Sequence, residues 1–169
     1  LLMSACAASP KMPVKIPKGS RIAVIANVRD EAVLQRVGTT VADNVSFYRQ
    51  IPKFKINPYL TTLVSNDLYR SRQFKVIPIY HRTAPQLFDI PAVKKRVLSP
   101  QYRQYINRLS PGKKLDYIVL VTPADINFGK GQYYGPIWSA SGYGLFNRAF
   151  MFIQTNAVFG AFNVYLIDA

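Results

Sequence analysis

The sequence predicts an α/β fold: a mixed β-sheet packed with two or three helices and ending in a β-hairpin. Three observations carry the prediction. Short apolar, β-branched runs at residues 21–28 (RIAVIANV) and 115–121 (LDYIVLV) look like buried strands. Apolar positions at helical spacing, such as Leu60, Leu63, Val64 and Leu68, lie between them. The uncharged stretch 149–167 divides at Thr155-Asn156 into two pieces of strand length. At 169 residues and 49% hydrophobic, a single core closes without a disulfide or a structural metal.

In chain order, residues 21–28 form the first strand. Asp30 and Glu31 then head a segment whose apolar Ala32, Val33, Leu34 and Val37 read as helical, kept short by Gly38-Thr39-Thr40. Residues 41–51 suit helix or strand. Asn57-Pro58 is a helix start, with Asn as N-cap and Pro at the first helical position, and the helix runs to about Ser71. Residues 74–80 form a strand whose Pro78 places it at a sheet edge or at its own end. Residues 91–109 make a helix interrupted or preceded by Pro100, with Tyr102, Tyr105, Ile106 and Leu109 inside and Lys94, Lys95 and Arg96 outside. Pro111-Gly112 closes it, and 115–121 follows as a central strand buried on both faces. Residues 122–144, rich in Gly, Pro, Asn and Ser, read as a long aromatic loop or irregular hairpin. The nineteen residues 149–167 are long enough to span a bilayer, but Gln154, Thr155, Asn156 and Asn163 favour a buried hairpin.

The charge is lopsided. Against 22 Lys and Arg stand 8 Asp and Glu, a net +14, and residues 131–169 hold only Arg148 and Asp168. Basic surface candidates are Lys53, Lys55, Arg70, Arg72, Lys94, Lys95 and Arg96. The first four, like Tyr48-Arg49, interleave with aromatics in a way that suits phosphate contact and base stacking, so a basic nucleic-acid-binding domain is the alternative function. No RNP, KH or helix-turn-helix signature accompanies them, and the same cations suit lipid head groups, lipopolysaccharide or acidic partners.

Site chemistry is sparse. The single Cys, Cys6, and the single His, His81, are 75 positions apart, too few ligands for a zinc site, so neither metal nor cofactor is expected. His81 has no sequence-adjacent nucleophile or acid and reads as a strand-end histidine. Gly129-Lys130-Gly131-Gln132 lacks the upstream Gly and the Ser or Thr of a P-loop and reads as a turn. Asp116 and Asp125 straddle a strand, with no second carboxylate pair for acid/base work. No catalytic residue is assigned and no enzyme activity is expected. The loop aromatics Tyr133, Tyr134, Trp138 and Tyr143 are interface candidates.

The string Leu1-Leu2-Met3-Ser4-Ala5-Cys6-Ala7 resembles a bacterial lipobox, which implies a cleaved signal peptide and a diacylglycerol and acyl (palmitate) anchor on Cys6. Met3 stands where Leu is commonest. Pro10, Pro13 and Pro17, interleaved with Lys11, Lys15 and Lys18, make an extended tether. Residues 1–19 are thus a lipobox remnant and tether, and 20–169 a single domain. The helix-then-strand unit at 59–79, with the strands at 21–28, 115–121 and 165–169, resembles periplasmic lipoproteins related to the curli secretion subunit CsgG and the amino-terminal domain of TolB. The resemblance implies a non-enzymatic lipoprotein on the periplasmic side of the bacterial outer membrane, where it joins an envelope complex or a homo-oligomer. It also implies a further strand after Ala169.

Overall fold

The computed structural model describes residues 15–38, 43–94, 97–127, 139–150 and 153–169. The first strand, β1 (Arg21–Ala26), is built from small and β-branched residues, and its Ile22–Ala26 stretch is 0% exposed. A parallel sheet covered on both faces asks for such a strand. On one side it pairs with β4 (Lys75–Pro78) and on the other with β7 (Tyr117–Pro123), both in parallel. Pro78 ends β4 at the sheet edge, where a missing N–H breaks no ladder.

Two helices sandwich this core. On one face α1 (Ile56–Arg70) sets Ile56 and Leu60 against Ala26, Val28 and Val121, and Val64 and Leu68 against Ile22, Val24 and Val76. On the other, α2 (Pro100–Leu109) presses Tyr102, Tyr105 and Ile106 on Ala23, Ile25, Ile118 and Leu120. That second layer also takes in a 3-10 turn, Pro85–Leu87, and a small hairpin of β5 (Val93–Lys94) and β6 (Val97–Leu98). Each fully buried Ile or Leu contributes about 1.5–3 kcal/mol.

The remaining strands widen the sheet to eight. They are β2 (Glu31–Val37), β3 (Val45–Gln50), β8 (Asp125–Asn127), β9 (Ser139–Phe150) and β10 (Ile153–Asp168), and the order is β3-β2-β9-β10-β7-β1-β4, with β8 on β9. The fold is mixed α/β, as the sequence predicts, with two helices.

Several elements differ from the sequence reading. The segment after Asp30 is a strand, β2, because pairing on both sides, antiparallel with β3 and parallel with β9, outweighs its modest helical pattern. Helix α1 begins at Ile56 with Lys55 as N-cap, and Asn57 is turned to other use within the first turn. The long helix of 91–109 is confined to Pro100–Leu109, with Pro100 in its first turn and Ser99 as N-cap. The end of the supposed aromatic loop is strand β9. The hairpin exists, but Phe150 pairs with Ile153, so it reverses upstream of Thr155 and Asn156, which lie inside β10 opposite Arg148 and Asn147. Residues 153–168 being one strand, the helical membrane span is excluded there. No helix among the described residues is long and apolar enough to cross a membrane.

Candidate binding surface

Strand β10 belongs to two sheets' worth of neighbours. Phe162–Asp168 pairs with β7 in the core, whereas Ile153–Ala161 pairs with β9 and leaves β7 behind. Beyond the core the sheet therefore continues as a four-stranded extension, β3-β2-β9-β10. Gly142, at φ +82°, lets β9 bend as its partner changes from β8 to β10. Gly144 sits so close to β2 that an added Cβ would collide with the Val33 carbonyl oxygen, which fixes glycine at this strand crossing.

The extension has two unlike faces. On the face below α2's layer, Val33 and Phe159 are buried with Ala140, against Ile126 and Phe146. The opposite face, shared with α1, is uncovered among the described residues. The register sets Phe47, Leu34, Leu145 and Val158 side by side across the four strands. Phe47 is 47%, Leu145 50% and Val158 82% exposed. Alternation along β10 carries the same face past Phe162, which packs under α1, to Val164 and Leu166, 60% and 39% exposed beyond the helix. The result is an apolar strip that crosses the extension and turns down β10. One row further out its chemistry changes to Arg36, Asn147 and Asn156, with the Asn147 amide donating to Asn156 Oδ1.

A buried polar network aims this extension. Asn57 Oδ1 accepts the Val28 N–H at 2.7 Å, and Asn57 Nδ2 donates to the Val28 carbonyl at 2.8 Å and to Thr83 Oγ1 at 3.1 Å. Thr83 in turn donates to Asp30 Oδ2 at 2.8 Å. The chain leaving β1 is thus held to the first turn of α1 just before it becomes β2. Tyr143 on β9 completes the clasp, its hydroxyl donating to the Asp30 carbonyl at 2.8 Å and its ring edge-on to Phe54. Burial, then the Asp30 and Glu31 carboxylates, push the Tyr143 hydroxyl up to about 12. Next to it the Arg29 guanidinium lies between Tyr48 and Phe88, 4.7 and 4.6 Å from their ring centres, which ties β3 to the 3-10 turn. A cleft of about 270 Å³ opens below, between Asp89, Asp125, Tyr102 and Tyr165.

Of the residues singled out from sequence, Cys6, Tyr133, Tyr134, Trp138, Lys95 and Arg96 lie outside the described residues, as does the Gly129-Lys130-Gly131 turn. Tyr143 is half-buried in the clasp. Lys53 and Lys55 precede α1 and Arg70 and Arg72 follow its start by fourteen or more residues, so the two pairs stand about 20 Å apart. Lys94 is on β5, in the α2 layer. The described cations singled out from sequence therefore fall at the two ends of α1 and in the α2 layer. His81 meets the Tyr105 hydroxyl, 2.7 Å from Nδ1, and the Arg82 carbonyl, 2.6 Å from the same atom. Asp116 accepts the Arg21 N–H at 2.7 Å, a structural tie at the base of β1. The apolar strip itself, Phe47, Leu34, Leu145, Val158, Val164 and Leu166, escapes the sequence reading: strand alternation shows that these residues share a face, but not that α1 stops short of it.

No protein-family model matches the chain, and no match is found among curated proteins or solved structures.

Proposed function

We propose that the chain is a non-enzymatic, lipid-anchored protein of the bacterial envelope that works in assembly, binding a protein partner through the bare face of its sheet extension. One observation carries the binding part: a contiguous apolar strip, Phe47–Leu34–Leu145–Val158, lies open on well-paired strands. Large exposed apolar patches mark interaction surfaces. The polar clasp at Asn57, Thr83 and Asp30 supports the same reading, since it fixes the extension's angle to the core as a preformed docking face requires. The anchor rests on the lipobox-like residues before Cys6.

Expression in a bacterium behind a lipoprotein leader tests both parts. The expected result is a lipid-sized mass gain and membrane partitioning, both lost in Cys6→Ala. Co-purifying envelope proteins are to be retained by that anchored protein and lost in Leu145→Glu and Val158→Glu at unchanged melting temperature. An unmodified chain overturns the anchor, and partners held equally by the glutamate variants overturn the face.

A further inference from the structure

The strip ends at an open edge. Strand β3 pairs only with β2, and every residue from Val45 to Gln50 is exposed, so the outer N–H and C=O groups of a six-residue strand are unpaired among the described residues. Proteins usually guard such an edge with lysines, prolines or a bulge. Here the edge carries Val45, Phe47 and Tyr48, with exposures of 45%, 47% and 54%, and a single charged residue, Arg49.

We propose that this edge pairs with β3 of a second copy of the chain, antiparallel about a two-fold axis at Phe47. The inference rests on the assembly reading above and adds a second copy at the edge of that face. The argument is one of register. A two-fold pairing that keeps both faces must set some residue against its own copy, because alternate side chains point to opposite faces. With Phe47 on Phe47, Val45 faces the copy's Arg49 and Ser46 faces the copy's Tyr48. No like charges then stand opposite each other. The apolar row then runs unbroken through eight strands, from Val158 of one copy to Val158 of the other. The neighbouring register, Tyr48 on Tyr48, breaks the row by setting Phe47 against Arg49. After Gln50 the chain turns at Pro52 and Lys53 toward α1, with the Phe54 N–H donating to the Ile51 carbonyl at 3.2 Å.

Charge separates a second copy from a different partner. Each copy carries +14, so self-pairing is opposed at long range and tightens as salt screens it. An acidic protein or a nucleic acid bound at the same edge loosens instead.

The test uses the full chain with Cys6→Ser, which removes the native thiol, in sedimentation and disulfide trapping. A dimer is expected whose affinity rises between low and high salt. Phe47→Cys locks it under mild oxidation, while Ser46→Cys and Tyr48→Cys, whose thiols stay apart in this register, do not. Phe47→Lys weakens self-association about tenfold or more with an unchanged melting temperature. A monomer at every concentration and salt overturns the proposal, as do locking at Ser46 or Tyr48 as strong as at Phe47, and association that weakens with salt. The assembly reading fails separately: a monomer that still loses its envelope partner in Val158→Glu keeps the face and removes only the second copy.

Discussion

The core strands and the extension strands are made from similar residues and end in opposite conditions. Ile22, Ile25 and Leu120 are 0% exposed beneath two helical layers, whereas Leu145 and Val158, no less apolar, are 50% and 82% exposed on the same sheet. What separates them is the reach of α1. Its fifteen residues cover β1, β4 and β7 and stop before the outer half of β10. Apolar residues in the core therefore contribute to stability, and those of the extension are free to contribute to binding.

The contrast is broken most strongly by truncating each side in turn. Leu120→Ala, in the centre of β7, costs about 2–5 kcal/mol, read from urea unfolding followed by circular dichroism. Next comes the joint between the regions. Asn57→Ala strips the Val28 N–H and carbonyl of their buried partners and costs about 1–3 kcal/mol. Limited proteolysis of that variant is expected to cut near residues 27–31 first, as the connection to β2 loosens.

Alkali probes the same joint. The Tyr143 hydroxyl stands at about 12 in the fold against 10.0 in the free residue, raised by burial first. Below pH 10 both folded and unfolded chains hold the proton. Between pH 10 and 12 only the unfolded chain releases it, so stability is lost as pH rises through that window. Urea midpoints measured from pH 8 to 11.5 should fall less steeply in Tyr143→Phe. Buried Tyr102 and Tyr105, raised in the same direction by burial, keep part of the decline in that variant.

Two smaller effects sharpen the comparison. Lys53 takes φ +63° in the turn from β3 to α1, where a residue with no Cβ is at ease, and Lys53→Gly raises stability by about 0.5–1 kcal/mol in thermal unfolding. Val158→Glu changes stability by less than about 0.5 kcal/mol, because the valine buries little to lose. Equal and large losses from Leu120→Ala and Val158→Glu would erase the distinction between the two regions.

The core was readable from sequence and the extension was not, for a physical reason. Strand β7 announces itself because burial on both faces demands a continuous apolar run, and Pro78 marks β4 as an edge by its missing donor. The extension depends on partners far away in sequence. Ala32, Val33 and Leu34 suit a helix locally, and pairing with β3 on one side and with β9, over a hundred residues on, on the other makes them a strand. Gly144 looks like a loop residue until β2 is seen lying against it, and Gly142 until Ala161 of β10 is seen opposite it. Asn156 imitates a turn residue because it occupies an exposed rung of β10, opposite Asn147, where a polar side chain costs nothing. The candidate surface inherits this opacity: its residues are ordinary strand apolars, and their function depends on how far a helix extends over them. Asn57 was singled out for the right place and the wrong task, as a cap instead of a clamp.

Strand β10 also decides how the extension is carried. It is about 50 Å of extended backbone if straight, and among the described residues it is the strand that pairs with both β7 and β9. Its Phe162–Asp168 half and its Ile153–Ala161 half are one continuous backbone, so the apolar strip hangs from the core's own ladder and not from a flexible linker. The same arrangement has a kinetic side: β2 meets β9 across more than a hundred residues, and such non-local pairing makes for slow folding.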